Sequence, residues 1–183
     1  MQVTETEIAG VFVLRPRPHH DERGFFTRTF DAAIAREHGI DLGGEAQDSQ
    51  SRSSRGVVRG LHGRGGRGEA KLVRCAHGAV LDTVVDIRPD SATFGRRLEF
   101  RLDDEEFTHL YVPPGMLHGF QALTGTADVC YRIDRPHDPS EDLAVRYDDP
   151  DLAIGWPLPV TVVSARDAQA PSWRELLVSL GKG

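Results

Sequence analysis

Residues 81–87 read Leu-Asp-Thr-Val-Val-Asp-Ile, and this stretch decides the class of fold. Its odd-numbered side chains would face one way, while Asp82, Val84 and Asp86 would face the other. A period of two is typical of a β-strand and does not suit a helix. We therefore begin from a strand at this position.

Comparable short stretches recur on both sides of it, and turn-forming Gly and Pro residues separate them. The further predicted strands are Val11–Leu14, Val57–His62, Lys71–Ala76, Leu98–Leu102, Leu110–Val112, Gly119–Leu123 and Val129–Ile133. Two helices are predicted: Asp31 would cap Ala32–His38, and Ser172 with Glu175 forms a capping-box pattern before a last helix. Many short strands and few helices predict a mainly β fold, a barrel or jelly roll.

Composition narrows the class of protein. At 183 residues with 39% hydrophobic and 27% charged residues, we expect one folded domain over 1–183. No apolar run approaches the roughly 20 residues of a membrane span, and Met1–Gly10 lacks the apolar core of a secretion signal. Cys75 and Cys130 cannot build a disulfide framework, so we expect a cytoplasmic protein.

Charge argues against some partners and for others. The net charge of −6 disfavours a nucleic-acid-binding protein, and no feature indicates membrane binding. Basic residues nevertheless cluster between Arg52 and Arg74, against a single acid, Glu69. This cluster is either a solvated positive loop or an anion site, because arginine binds phosphate through two parallel hydrogen bonds.

Three side chains are candidates for chemistry. His62 and His118 each end an apolar stretch and precede a glycine, and Tyr131 lies on the apolar face of its strand. A structural role for each is an open alternative, since the tyrosine could equally be core packing or a proton donor in a barrel interior. A metal site on His62 and His118 is disfavoured because the nearby arginines repel cations.

Other catalytic patterns are weak. No Ser or Cys lies in a G-x-S-x-G turn. The Gly-rich segment Gly63–Gly68 lacks the Lys-Ser/Thr ending of a phosphate-binding loop, and we expect it to be a mobile loop.

Longer segments carry a resemblance to a known family. They are DERGFF (21–26), GVVRGLH (56–62), KLVR (71–74), DTVVDIR (82–88), VPPGMLHGF (112–120), YDDP (147–150), IGWP (154–157) and SARD (164–167). In this order, over nearly the whole chain, they resemble the dTDP-4-dehydrorhamnose 3,5-epimerase family of cupin-fold nucleotide-sugar enzymes.

The resemblance implies a cupin-like jelly roll that forms a homodimer and epimerises a dTDP-linked 4-keto-6-deoxyhexose in deoxysugar biosynthesis. It implies no metal and no organic cofactor. His62 resembles the family's base, Asp167 the carboxylate that orients it, Tyr131 the acid on the opposite face of the sugar, and Lys71 the residue beside the C4 carbonyl. The substrate-binding positions implied are Arg23, Arg28, Gln47, Ser49, Arg59, His118, Glu141 and Arg166.

These residue types suit the chemistry. A C4 ketone acidifies the hydrogens at C3 and C5, a histidine can remove one near neutral pH, and a nearby cation stabilises the enolate. Inversion then needs a second group on the other face. One geometrical conflict arises, because strict alternation puts Arg59 and His62 on opposite faces of their strand. If both reach one ligand, the strand must twist or bulge near Gly60.

The sequence also departs from the family pattern near the sugar. Gly63-Arg64 replaces the usual Tyr-Gln, and Pro136-His137 replaces an aromatic pair. These departures favour the hypothesis that only C3 or only C5 is epimerised. The alternatives are a 3,4-ketoisomerase on the same barrel and a non-catalytic cupin that binds sugar nucleotides.

Overall fold

Two antiparallel β-sheets face each other in the computed structural model, which describes residues 1–182. The strands are β1 (Gln2–Glu5), β2 (Phe12–Arg15), β3 (His19–Asp21), β4 (Gly24–Phe26), β5 (Gln47–Ser54), β6 (Val58–Arg64), β7 (Lys71–His77), β8 (Ala79–Asp86), β9 (Arg97–Asp103), β10 (His109–Val112), β11 (Met116–Ala122), β12 (Thr126–Ile133) and β13 (Asp142–Ala144). The helices are α1 (Ala32–Glu37), α2 (Ala165–Ala168) and α3 (Trp173–Ser179), with a 3₁₀ turn at Pro139–Glu141. The predicted mainly β class with few short helices is confirmed.

The sheets differ in size. The larger has the strand order β1-β2-β10-β7-β12-β5, and the smaller has the order β13-β6-β11-β8-β9. The hairpin of β3 and β4 pairs only with itself. Consequently β5 is an edge strand, hydrogen-bonded on one side to β12.

The main core lies between the two sheets. Val73 and Val129 of the large sheet pack in one cluster with Val84 and Phe120 of the small sheet. The side-chain alternation of β8 explains this placement: Val84 faces the interior, while Val85 faces the other way, into a cluster with Trp173 and Leu176 of α3. Helix α3 therefore covers the outer face of the small sheet.

Both predicted helix starts are confirmed. Asp31 accepts hydrogen bonds from the backbone of Ala33 and Ile34 at the start of α1. At α3, Ser172 and Glu175 form the complete capping box. Helix α1 contributes Ala35 to the cluster that covers the outer face of the large sheet.

A β-bulge interrupts β6 where the sequence analysis required one. The register with β11 pairs His62 with His118 and Arg59 with Phe120, so that Gly60 and Leu61 together oppose Gly119. Gly60 has φ +118°, and a Cβ on it would lie 2.6 Å from the Cα of Gly119. The extra residue brings Arg59 and His62 to the same cavity.

Several segments differ from the predictions, and the short strands β1, β3, β4 and β13 were not predicted. β5 was not predicted, because its sequence QDSQSRSS is polar and lies at a sheet edge with mostly exposed side chains. The short helix α2 was also not predicted. The expected loop Gly63–Gly68 starts two residues later than predicted, since β6 continues through Arg64 and Gly63 pairs with Leu143. Residues 65–68 lie outside the strands and helices.

Candidate active site

A cavity of about 520 Å³ opens between the two sheets. The large sheet contributes Lys71 and Tyr131 to its wall, and the small sheet contributes Arg59, His62 and His118. Helix α2 closes the cavity with Arg166 and Asp167. These seven residues, distant in sequence, were all predicted site residues.

His62 and Asp167 form a hydrogen-bonded pair at this cavity. His62 Nε2 lies 2.7 Å from Asp167 Oδ1, although 105 residues separate them. Asp167 Oδ2 accepts a hydrogen bond from the backbone N–H of Gly60 at 3.0 Å. Burial opposes ionisation of Asp167, but the hydrogen bonds from His62 and Gly60 outweigh it and hold its pKa below the usual value.

The ionised carboxylate determines which histidine nitrogen carries the proton. Asp167 can only accept a hydrogen bond, so Nε2 of His62 must be the protonated nitrogen and Nδ1 keeps its lone pair. The side chain of His62 is 39% exposed, whereas that of Asp167 is 5% exposed. His62 is therefore an oriented base with one free nitrogen.

Asp167 owes its position to the start of α2. Ser164 caps this helix, and its Oγ accepts a hydrogen bond from the backbone N–H of Asp167 at 3.0 Å. The segment SARD thus combines a cap with a functional carboxylate.

Tyr131 reaches the cavity from the opposite sheet. Its hydroxyl lies 3.3 Å from Oγ of Ser51 on β5, and its ring packs edge to face on His118. Burial raises the pKa of the Tyr131 phenol well above its ordinary value, and Ser51 offsets this only in part. The phenol is consequently protonated at neutral pH and able to donate.

Lys71 is held by an acid that the sequence analysis did not assign to the site. Its Nζ lies 2.9 Å from Oε1 of Glu69, and Arg64 Nε lies 2.9 Å from Oε2 of the same carboxylate. Burial opposes ionisation of Glu69, but Lys71 and Arg64 outweigh it and keep its pKa below the usual value. The only sequence signal was that Glu69 is the single acid in the basic cluster.

His118 is paired with a fully buried acid, Asp82. The Nε2–Oδ2 distance is 2.8 Å, and the side chain of Asp82 is 0% exposed. Burial raises the pKa of Asp82, while His118 acts in the opposite direction. The signal in the sequence was an acidic residue on the same face of β8 as the core residue Val84.

Part of the basic cluster is neutralised by ion pairs within the protein. Arg52 pairs with Asp128, and Arg64 pairs with Glu69 and Asp142. Arg59 has no carboxylate partner within residues 1–182, and its guanidinium donates to Ser53 Oγ and to the carbonyl of Arg52. At the cavity, Arg59 is therefore the guanidinium most available to an anion.

Five predicted binding residues do not line this cavity. They are Arg23, Arg28, Gln47, Ser49 and Glu141. Arg28 and Ser49 line another cavity of about 610 Å³, formed largely by outward-facing side chains such as Cys130 and Arg132. That cavity is larger but contains no His–Asp pair, so we place the chemistry in the first one.

The remaining three lie elsewhere. Arg23 pairs with Asp21 in the exposed β3–β4 hairpin, and its side chain is 89% exposed. Glu141 pairs with Arg135. Gln47 begins the edge strand β5, opposite Ile133.

Two further structural findings concern the described part of the chain. Across residues 1–182, no three His, Cys, Asp or Glu side chains are grouped so as to hold a metal ion. None of the helices within those residues has the length and apolar character to cross a bilayer.

Comparison with known proteins identifies the family. The family model described as dTDP-4-dehydrorhamnose 3,5-epimerase matches residues 5–175. The dTDP-4-dehydrorhamnose 3,5-epimerase of Escherichia coli is 42% identical over 159 residues, covering 86% of this chain and 85% of the relative.

Solved structures agree with this family. The 4-keto-6-deoxy sugar epimerase from the novobiocin biosynthetic gene cluster of Streptomyces spheroides matches with a TM-score of 0.93 and 37% identity, covering 100% of this chain and 92% of that one. A 3′-monoepimerase from Streptomyces bikiniensis, in complex with dTDP-quinovose, matches with a TM-score of 0.87 and 34% identity, covering 97% and 90%. The family model, the sequence relatives and the fold all agree, and the chain belongs to the dTDP-4-dehydrorhamnose 3,5-epimerase family.

Proposed function

We propose that this protein epimerises a dTDP-linked 4-keto-6-deoxyhexose at C3, C5 or both, with His62 as base and Tyr131 as acid. One observation carries the proposal: an oriented histidine and a protonated phenol reach the same cavity from opposite sheets. Inversion of a carbon requires removal of a proton on one face and return on the other. Two walls that each hold one proton-transfer group meet this requirement.

The first step uses the free nitrogen of His62. Nδ1 removes the proton from the carbon next to the C4 ketone, and the electron pair moves onto O4 as an enolate. The resulting imidazolium keeps its hydrogen bond to Asp167, whose negative charge stabilises it. The His62–Asp167 pair thus changes from a neutral imidazole beside a carboxylate to an ion pair.

Lys71 stabilises the enolate in this scheme. It lines the cavity, and its side chain is 12% exposed, so its charge acts in a region largely shielded from water. Tyr131 then gives its proton to the opposite face of the same carbon, which completes the inversion.

Arg59 and Arg166 would bind the diphosphate. Both line the cavity and both are arginines, which bind phosphate oxygens through two donors. Arg166 is anchored by Asp142 at 2.5 Å, and its side chain is 61% exposed. A nucleotide bound there would leave the sugar near His62.

We further propose a homodimer formed through the β3–β4 hairpin. This hairpin pairs only with itself, and it exposes Phe25 at 55% and Phe26 at 77%. The free edge of β5 offers unpaired backbone groups of the kind that accept an added strand. Seating the hairpin on the β5 of a second copy would bury both features and bring Arg23 towards the region of Gln47 and Ser49.

Sedimentation analysis of the wild type and a Phe26→Ser variant tests the dimer. We expect a dimeric wild type and a variant shifted towards monomer. A monomeric wild type at micromolar concentration would contradict the proposal.

We place the protein in the cytoplasm, since Cys75 and Cys130 are both free thiols.

Proton NMR in deuterated water tests the reaction. With dTDP-4-keto-6-deoxyglucose, we expect deuterium to replace the hydrogen at C3, C5 or both, and the inverted centres to identify the product. His62→Ala should abolish exchange while dTDP still binds. Tyr131→Phe should permit exchange but slow inversion, because deprotonation does not need the phenol.

Other outcomes separate the alternatives. A product whose carbonyl carbon has moved from C4 to C3 would indicate a ketoisomerase. Tight dTDP binding with no exchange by the wild type would indicate a non-catalytic binding protein. Exchange and inversion confined to one carbon would establish the mono-epimerase that the altered sugar surroundings favour.

A further inference from the structure

Five charged side chains form a continuous chain of ion pairs around His62. Glu69 binds Lys71 at 2.9 Å and Arg64 at 2.9 Å. Arg64 also binds Asp142 at 2.5 Å, and Asp142 in turn binds Arg166 at 2.5 Å. The two ends of this chain, Lys71 and Arg166, line the active-site cavity, whereas Arg64 in the middle does not.

Arg64 is a buried connecting residue. Its side chain is 8% exposed, and that of Glu69 is 7% exposed. Its guanidinium also donates to the backbone carbonyl of Asp138. Arg64 therefore connects Glu69 to the segment that contains Asp138 and Asp142, and it does not line the 520 Å³ cavity.

The net charge beside the reacting ketone depends on the ion pairs that Glu69 makes. Lys71 alone would carry +1, but its direct partner Glu69 carries −1, which leaves a pair with no net charge beside the reacting ketone. Arg64 adds +1 on the other oxygen of the same carboxylate. Asp142 adds −1 and Arg166 adds +1, so the five side chains together carry +1. Arg64 competes with Lys71 for the Glu69 carboxylate, which reduces the attraction of Glu69 for Lys71.

We propose that Arg64 is a positioning residue for the reaction: by sharing the Glu69 carboxylate with Lys71, it weakens the attraction of Glu69 for the Lys71 ammonium, which can then stabilise the enolate at O4. The inference rests on the proposed function, because it assigns Lys71 to the enolate oxygen. It concerns a residue that does not touch the substrate.

The proposal predicts an effect on turnover rather than on binding. Arg64→Gln should lower kcat roughly 10- to 100-fold, a range typical of weakened stabilisation of a developing charge. KM and the dissociation constant of dTDP should stay close to their wild-type values. Arg64→Lys keeps the charge and should recover much of kcat.

A double variant distinguishes charge balance from structural support. In Arg64→Gln the charge of Glu69 is opposed by Lys71 alone. In the double variant Arg64→Gln, Glu69→Gln the two amides can bond each other, and no carboxylate at position 69 offsets the charge of Lys71. We expect the double variant to exceed the single Arg64→Gln variant in kcat. A purely structural role predicts a double variant at least as impaired as the single one.

Arg88→Met serves as a matched control. Arg88 also makes several bonds, to Asp86 and to the carbonyl of Ala9, but it does not line the cavity. Its loss should lower the melting temperature without lowering kcat.

The outcomes are distinguishable. If the wild type catalyses no exchange, the proposed function itself fails. If the wild type is active and Arg64→Gln keeps the wild-type kcat, or if the double variant recovers nothing, the role of Arg64 is overturned. Should Arg64→Gln not fold, Arg64→Lys and the double variant decide the question through the same comparison of kcat with KM.

Discussion

His62 depends on a single carboxylate for its tautomer. The hydrogen bond of 2.7 Å to Asp167 keeps the proton on Nε2. In the proposed reaction, the charge of Asp167 also stabilises the imidazolium that forms when Nδ1 removes the substrate proton. Other groups hold Asp167 in place, because Gly60 and Ser164 contact its carboxylate and its backbone N–H. The charge of Asp167 can therefore be removed from beside His62 without unfolding the protein.

Asp167→Asn tests this at the residue scale. The amide keeps the shape but removes the charge, and its NH₂ group can impose the wrong tautomer on His62. We expect kcat to fall by roughly 100- to 10,000-fold, in line with the contribution of a positioned base, with dTDP binding retained. Deuterium exchange rates and a dTDP titration measure the two effects. Asp148→Asn, which removes an exposed partner of Arg146 outside the cavity, is the control and should leave exchange unchanged.

At the scale of a single element, the bulge in β6 brings residues of the candidate site together. Two glycines make it possible, since a Cβ on Gly60 would lie 2.8 Å from the carbonyl oxygen of His118 and a Cβ on Gly119 would lie 2.8 Å from that of Arg59. Without the extra residue, Arg59 and His62 would point to opposite faces. The bulge thus places the Arg59 guanidinium and the His62 imidazole at one cavity.

Gly60→Ala should therefore damage both stability and activity. The new methyl group meets backbone atoms rather than a flexible side chain, and φ is +118° at this position. We expect a loss of about 2–5 kcal/mol in the free energy of unfolding, from steric overlap and backbone strain together. Urea unfolding measures it. Gly155→Ala, where nothing lies within 4 Å of the added carbon, should be nearly neutral; equal losses in the two variants would contradict the argument.

At the scale of the whole molecule, a buried histidine makes stability depend on pH. His109 lies on β10 in the middle of the large sheet, is 3% exposed, and its Nδ1 lies 3.1 Å from the carbonyl oxygen of Thr29. Burial first, and the charge of Arg74 second, lower the pKa of His109 from 6.5 to about 4. Between these two values the unfolded chain binds a proton that the folded chain does not, so the protein loses stability as the pH falls from 6.5 to 4.

Urea unfolding at pH 7 and pH 5 measures this contribution. We expect about 2 kcal/mol of destabilisation from His109 over that interval, and His109→Asn should remove most of it. Asp86 has a pKa of about 2, because the hydrogen bonds from Arg88, Ser91 and Thr93 outweigh the effect of burial. Its contribution to the pH dependence of stability therefore lies below pH 5 and does not overlap that of His109. His19→Asn, a change in the exposed hairpin, should keep the wild-type dependence. An unchanged slope in His109→Asn would contradict the assignment.

Local signals in the sequence predicted most of the strands and the two longer helices. Alternation along 81–87, the cap at Asp31 and the capping box at Ser172 act over a few residues, and each is found where it was predicted. The edge strand β5 was not predicted, because its side chains are mostly exposed and therefore need no alternation of apolar and polar residues. The predicted start of the Gly63–Gly68 loop was wrong for a tertiary reason: a Cβ on Gly63 would lie 2.7 Å from the carbonyl oxygen of Met116, so this glycine allows close strand approach and does not mark a turn.

By itself, the sequence determined the mainly β class, because strand periodicity acts over a few residues. It also determined the family, and through the family resemblance the candidate base, acid and carboxylate, because each matching motif can be recognised within its own short segment. Only the tertiary structure decided that Arg59 and His62 share a cavity, that Glu69 and Arg64 hold Lys71, and that Asp82 lies behind His118. Each of these needs chain segments that meet only after folding. No local sequence pattern can specify that Gly60 meets Gly119 on the neighbouring strand. Nor can it specify the hydrogen bond between His62 and Asp167, which lie 105 residues apart in the sequence.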